Sequence, residues 1–278
     1  MTAPELPFGV LLRRWRERRR MTQMDLAAAA NSSTRHLSCL ETGQSQPSRE
    51  MVLRLAACLD VPLRGQNALL QGAGFAAAFQ ERSLAELAAA RQAIEQILEA
   101  HKPYPAFAVD RHWNVVLSNR ALPELYVDVS PELLRPPVNA IRLMLHPGGL
   151  APRIINFLDW RDYIVSVLRQ QAEASADAGI EALLAEILAY PDPGHGAAAA
   201  MNMGSQRFAT PLQISTVAGT VSFLNTVTVF GTPIDVTLSE LALEMLFPAD
   251  LETVAAIKRL TGEAGAGSWN KVPFAGTR

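Results

Sequence analysis

Apolar positions recur three and four residues apart through the first part of the chain, and the breaks between the stripes are polar or glycine. Leu11, Leu12 and Trp15 mark one face of a helix predicted over about Pro7 to Arg19, with Arg13, Arg14, Arg16, Arg18, Arg19 and Arg20 on its other faces. Thr22 caps a second helix, and Asp25 three residues later makes a short capping box. Asn31 ends that helix in the left-handed conformation. Ser33 caps a third helix whose inward residues are Leu37 and Leu40, and Gly43 stops it. Ser48 caps a fourth, with Met51, Val52, Leu55 and Leu59 as its buried stripe, and a fifth runs from Leu63 to about Ala73. The third helix opens differently from the rest: its first turn carries small polar residues and an arginine. A polar, exposed first turn on a helix held by the one before it has the shape that enters the major groove of DNA.

Periodicity fades in GAGFAAAFQERS, which reads as a linker. A helix follows from Ser83 to about His101, with Leu84, Leu87, Ile94 and Leu98 in a stripe that Arg91 interrupts, and Lys102-Pro103 ends it. Barely two heptads long, the stripe is expected to pack on the domain that follows rather than on a second copy. From Tyr104 the period changes to two. YPAFAVDRHWNVVLSN reads as two strands about a turn at Asp110-Arg111. Asn119 is expected to open a helical stretch. Helical spacing returns from Asn139 to Gln171, broken at His146-Pro-Gly-Gly, and again from Gly179 or Ile180 to Tyr190. PDPGHGAAAA is a loop, and PLQISTVAGTVSFLNTVTVFG is a second hairpin about Ala218-Gly219. Leu238 to Leu246 fits a short strand or a helix, and Asp250 to Thr261 a closing helix. Strands at both ends with helices between them give an α+β sheet with helices crossing one face.

Charge sharpens the division. Ten arginines and no lysine stand before residue 81 against six acidic residues, a surplus of four; the remainder carries fifteen basic and twenty-one acidic residues. A basic head on an acidic body is expected where only the head meets a polyanion. The two cysteines, Cys39 and Cys58, fit a reducing compartment and no disulfide framework. No apolar run is long enough for a membrane span, and the N-terminal arginines follow the apolar stretch, the reverse of a secretory signal, so a cytoplasmic protein is expected. No nucleophile elbow, P-loop or zinc spacing occurs, and the histidines are dispersed, so neither an enzyme nor a metal or cofactor is expected.

The five helices, with TQMDLA opening the second, LSCLETG closing the third and QPSREMVLRLAACLDVP in the fourth, resemble the lambda-repressor-like (xenobiotic-response-element type) helix-turn-helix domains over about Phe8 to Phe75. The resemblance implies a head that binds double-stranded DNA, with base-reading positions at Thr34, Arg35, Ser38 and Cys39. The forked guanidinium of Arg35 suits the O6 and N7 acceptors of guanine. Gln23 and Ser33 sit where short polar groups hold phosphates, and Gln44, Gln46 and Arg49 follow the third helix and are available for the same role. Arg16 and Glu41 occupy positions that pair in this fold and tie the first helix to the third.

The late segments YPAFAVDRHWNVVLSNRA and NAIRLMLHPGGLAPRIINFLDWRDYIVSVLR, followed by the second hairpin, resemble the MmyB-like ligand-binding domain, a PAS-like sensor that in that family follows such a head. The alanine-rich GHGAAAAMNMGSQRF departs from the family pattern, which bears on ligand identity more than on fold. A small, largely apolar ligand such as a fatty acid is implied. Its pocket is expected between Phe107, Trp113, Val115, Phe223 and Val227 of the sheet and Ile155, Phe157 and Trp160 of the helices, with Asn119, Asn139, Arg142 or Arg161 fixing a carboxylate. The chain is thus expected to hold an all-α five-helix DNA-binding head over residues 6–75, a linker and connecting helix over 76–102, an α+β PAS-like sensor over 103–265, and a tail over 266–278. The functional expectation is a homodimeric transcription regulator on a palindromic operator. The alternative is a regulator whose body serves only dimerisation or partner binding.

Overall fold

Caps and stops set the first five helices of the computed structural model, which describes residues 6–126, 128–194 and 209–261. They are α1 (Phe8–Arg18), α2 (Gln23–Ala29), α3 (Thr34–Glu41), α4 (Arg49–Cys58) and α5 (Leu63–Gly72). A full capping box starts α2: the Asp25 N–H donates to Thr22 Oγ1, and the Thr22 N–H donates to the Asp25 carboxylate. Ser33 and Ser48 accept from the backbone N–H of His36 and Met51, and so start α3 and α4. Asn31, at φ 54°, turns the chain out of α2.

Leu12, Trp15, Leu26, Leu37, Leu40, Val52 and Leu55 belong to the apolar cluster on which these helices close. Each fully buried side chain of that size contributes about 1.5–3 kcal/mol. One contact is governed by the absence of a side chain. A Cβ at Gly9 would lie 2.5 Å from the carbonyl oxygens of Leu40 and Glu41, so α1 crosses the end of α3 backbone to backbone. Gly9→Ala is expected to destabilise the head by about 1–3 kcal/mol through overpacking. A lowered denaturant midpoint checks this; an unchanged one contradicts the close crossing.

The head does not end at its fifth helix. The first of two structural units takes in the chain up to Arg82 and, in addition, Gln171–Asp177 and Thr232–Ser239. In that last segment Asp235 is fully buried, accepts from Arg82 Nε at 2.9 Å and also caps Thr237, while the Thr237 hydroxyl donates to the Arg82 carbonyl. Here the short helix α10 (Val236–Ser239) forms, and only its last two residues fall in the stretch from Leu238 whose sequence pattern fits strand and helix equally.

The second unit begins at Ser83. Its elements are α6 (Ala88–Ala100), β1 (Ala106–Val109), β2 (Val115–Ser118), α7 (Ala140–Leu145), most of α8 (Phe157–Ser175), α9 (Ala178–Leu188), β3 (Leu212–Thr216), β4 (Gly219–Val229), β5 (Ala242–Pro248) and α11 (Leu251–Leu260). The five strands form one antiparallel sheet in the order β2-β1-β5-β4-β3. Register places Phe107 opposite Glu244, Asn225 opposite Leu246 and Leu212 opposite Phe223. Alternation along the strands then puts all six on one face. All four residues of β1 are buried, so both faces are covered there, not one.

Three local expectations change. The connecting helix starts at Ala88, not Ser83: the Ser83 N–H and hydroxyl donate to Glu86 and close a turn, but Leu87 leaves it with ψ 53°. Asn119 opens no helix beyond a single 3-10 turn at Pro123–Leu125. Its side chain instead bridges separate backbone segments, donating to the carbonyls of Leu98 and Tyr104 and accepting from the N–H of Ala106. The stretch from Leu238 to Leu246 resolves into the end of α10 and strand β5. The loop over 195–200, most of the alanine-rich segment and the tail over 266–278 lie outside the described residues.

Candidate functional site

Two places in the molecule offer chemistry to a partner. The first is the start of α3. Thr34 and Arg35 are exposed on its first turn, and Ser38 and Cys39 are half-buried on the next. Arg35 makes no hydrogen bond or ion pair among the described residues. Ser33 is exposed, but its hydroxyl oxygen is occupied as the cap of α3. Gln44, Gln46 and Arg49 are exposed beyond the end of the helix. Cys39 Sγ lies 3.7 Å from Gln44 Oε1.

What fixes α3 is the pair named from the sequence. Arg16 Nε donates to Glu41 Oε1 at 2.6 Å and its second nitrogen to Glu41 Oε2 at 2.9 Å, a two-pronged contact between buried groups. Arg16 also donates to the Met21 carbonyl. Gln23, expected beside a phosphate, gives its amide N–H to Glu41 Oε2 at 2.9 Å, so it extends this network between α2 and α3. Other arginines of the N-terminal cluster are likewise engaged within the protein. Arg13 pairs with Glu17, Arg18 donates to the Ala172 carbonyl, and Arg19 donates to Leu59 while its guanidinium lies over Trp15. The basic surplus of the head is therefore partly used in packing. Among the described residues, the guanidiniums of Arg35 on the first turn of α3 and Arg49 beyond its end have no partner.

The second place is a small, partly open cavity of about 30 Å³ between the Phe107 face of the sheet and α8. Phe107, Leu212, Asn225, Glu244 and Leu246 line it from the strands, Trp160, Tyr163, Ile164 and Val167 from α8, with Met144 and Trp113 closing it. A second space of about 20 Å³ adjoins it and shares Phe107, Met144, Leu212 and Leu246. A larger trough of about 570 Å³ lies between α5 and residues 77–81, but it is open to solvent, and its Asn67 is used in holding Ala78 and Phe79. The cavity against α8 is the better ligand site, because apolar walls with a few convergent polar groups are what a small molecule needs.

Of the residues expected at the pocket, Phe107, Trp113 and Trp160 line this cavity. Phe157 and Phe223 are buried but are not among its lining residues, while Val227 is half exposed. The polar groups expected to hold a carboxylate are occupied elsewhere. Asn119 is structural, as above. Asn139 caps α7 and donates to the His112 carbonyl. Arg142 forks onto Glu186, holding that carboxyl below its usual range, and Arg161 donates to the Leu188 carbonyl.

Sequence reasoning missed the apolar Met144, Ile164, Val167, Leu212 and Leu246 and the polar Tyr163, Asn225 and Glu244. Glu244 is 2% exposed, and burial pushes its carboxyl up to about 7. Asn225 Nδ2 donates to its Oε2 at 2.7 Å. Burial, and then the Glu244 charge, hold the Tyr163 phenol above its ordinary range. A signal was present: in LALEMLF a lone acid interrupts an apolar run. It points inward only once the run is known to be a strand.

Among the described residues no cluster of His, Cys, Asp and Glu is arranged to hold a metal ion, and no helix is long and apolar enough to cross a membrane. Residues 7–69 match a helix-turn-helix domain family, and residues 90–260 match the MmyB-like transcription regulator ligand binding domain. Comparison with curated proteins gave no match. Neither matched family is an enzyme family. With a helix-turn-helix head and a ligand-binding body matched over more than half its length, the chain belongs to the MmyB-like transcription regulators.

Proposed function

We propose that the head reads double-stranded DNA sequence-specifically through the first turn of α3, and that the body takes up a small, largely apolar molecule that modulates this binding. The observation that carries the first part is the exposed Thr34-Arg35 turn on a helix clamped from behind by Arg16, Glu41 and Gln23. Two heads on half-sites about one helical turn apart would make the operator palindromic and the working unit a homodimer. The protein would act in the cytoplasm. The five-stranded antiparallel sheet with helices inserted between β2 and β3 supports a PAS-like sensor. The apolar walls of its cavity suit a hydrocarbon chain of the fatty-acid type. The ligand shifts DNA affinity only as far as it prefers one of two states of the protein.

Selection of operators from random DNA by the whole chain tests this reading. Arg35→Ala is expected to lose discrimination at one operator position by about 1–3 kcal/mol while weak non-specific binding persists. Equal loss on every sequence contradicts base reading. Binding is also expected to weaken with salt by a slope of about 0.9 per phosphate contacted, and a flat response excludes the arginine-led footprint.

A further inference from the structure

The polar atoms of the sheet cavity are arranged for a ligand head that donates hydrogen bonds. Glu244 Oε1, Asn225 Oδ1 and Trp160 Nε1 are buried, and none has a hydrogen-bond partner among the described residues. All three belong to side chains that line the same cavity, two offering acceptors and one a donor. Glu244 and Trp160 are each at least 98% buried. No lysine, arginine or histidine is among the lining residues. A carboxylate entering here finds no cation and meets a second acid, and unmatched polar groups at such depth are costly.

We propose that this cavity selects an apolar amine over a carboxylate, the ligand nitrogen donating to Glu244 Oε1 and Asn225 Oδ1. An oxygen on the neighbouring carbon would accept from Trp160 Nε1, so an amino alcohol head meets all three groups. This rests on the reading of the body as a ligand-binding domain. Burial alone disfavours the charged form of Glu244; an ammonium beside it restores that form, whereas a carboxylate adds to the penalty. The space fits this division of labour. At about 10–15 Å³ for each water-sized occupant, the 30 Å³ cavity takes a small head. The adjoining space of about 20 Å³, whose walls include Leu122, Leu125, Leu143 and Leu150, takes the first carbons of the hydrocarbon part, and a longer chain needs these side chains to move apart. Met144 lines both spaces with Phe107, Leu212 and Leu246, and its unbranched side chain is the most adaptable of the four.

Calorimetric titration of the full chain near neutral pH with hexylamine, 1-hexanol and hexanoate tests the proposal. Hexylamine is expected to bind tightest, at least about tenfold more tightly than hexanoate, and Glu244→Gln to bring the two within about threefold. Hexanoate binding as well as or better than hexylamine overturns the amine assignment and leaves the ligand-binding reading standing. So does an amine preference that Glu244→Gln leaves unchanged. If none of the three binds, the cavity holds water only and both readings fall. Should Glu244→Gln fail to fold, the ranking of the three probes on the unaltered chain decides alone.

Discussion

Replacing Glu41 by alanine is expected to cost the head about 3–5 kcal/mol, more than the overpacking at Gly9 or the loss of any one helix cap. The carboxylate takes two hydrogen bonds from Arg16 and one from Gln23. Without it the Arg16 guanidinium, 9% exposed, keeps only the Met21 carbonyl as a hydrogen-bond acceptor and the half-exposed Glu17 carboxylate at 3.9 Å. A buried ion pair is not reliably a net stabiliser against apolar substitutes, but breaking one side leaves an uncompensated charge, which is where the cost arises. For a domain this small, roughly 4–8 °C of melting temperature accompany each kcal/mol, so a fall of roughly 12–40 °C is expected. DNA binding is lost with it, because α3 is no longer held. Calorimetric melting of the full chain checks the result. An unchanged melting profile with lost binding would move Glu41 from scaffold to contact surface.

The second large effect is a dependence on pH centred on Glu244. Its carboxyl is raised from 4.5 to about 7 by burial, with the Asn225 hydrogen bond opposing in part. Trp160 and Tyr163 of α8 also line its cavity, and no basic side chain does. The folded state therefore holds a proton that the unfolded chain has released between these two values. Stability from this group is complete below about pH 4.5 and is lost as pH rises through about 7. At about 1.4 kcal/mol per pKa unit, the whole swing is about 3 kcal/mol. Glu244→Gln, which cannot ionise, is expected to flatten this part of the profile and to be the more stable protein at pH 8. Urea midpoints for the two proteins between pH 5 and 8 give the difference directly. A difference that does not change with pH would contradict the buried acid.

The head was legible because its signals are local. Thr22, Ser33 and Ser48 each sit within three residues of the N–H they cap, and Asn31 acts on its own backbone. The Arg16–Glu41 tie spans 25 residues and follows from family resemblance, not from periodicity. The body was legible as strands and helices but not as a site. Glu244 and Asn225 meet across a β-ladder whose register no sequence period reveals, and Asn119 looked like a helix start while serving four backbone groups. Arg142 looked like a free cation until folding brought Glu186, 44 residues later, alongside it.

The eight residues from Thr232 to Ser239 lie between two neighbouring strands of the five-stranded sheet, yet they fold as part of the head, with Asp235 buried against Arg82. The head is therefore not a portable cassette. A fragment ending at Arg82 would leave that arginine without its acid and expose apolar surface that Val236 normally covers. Moving this head onto another body would require transplanting a stretch of the ligand-binding half as well. Selection on the reader and on the receiver thus acts partly on the same codons.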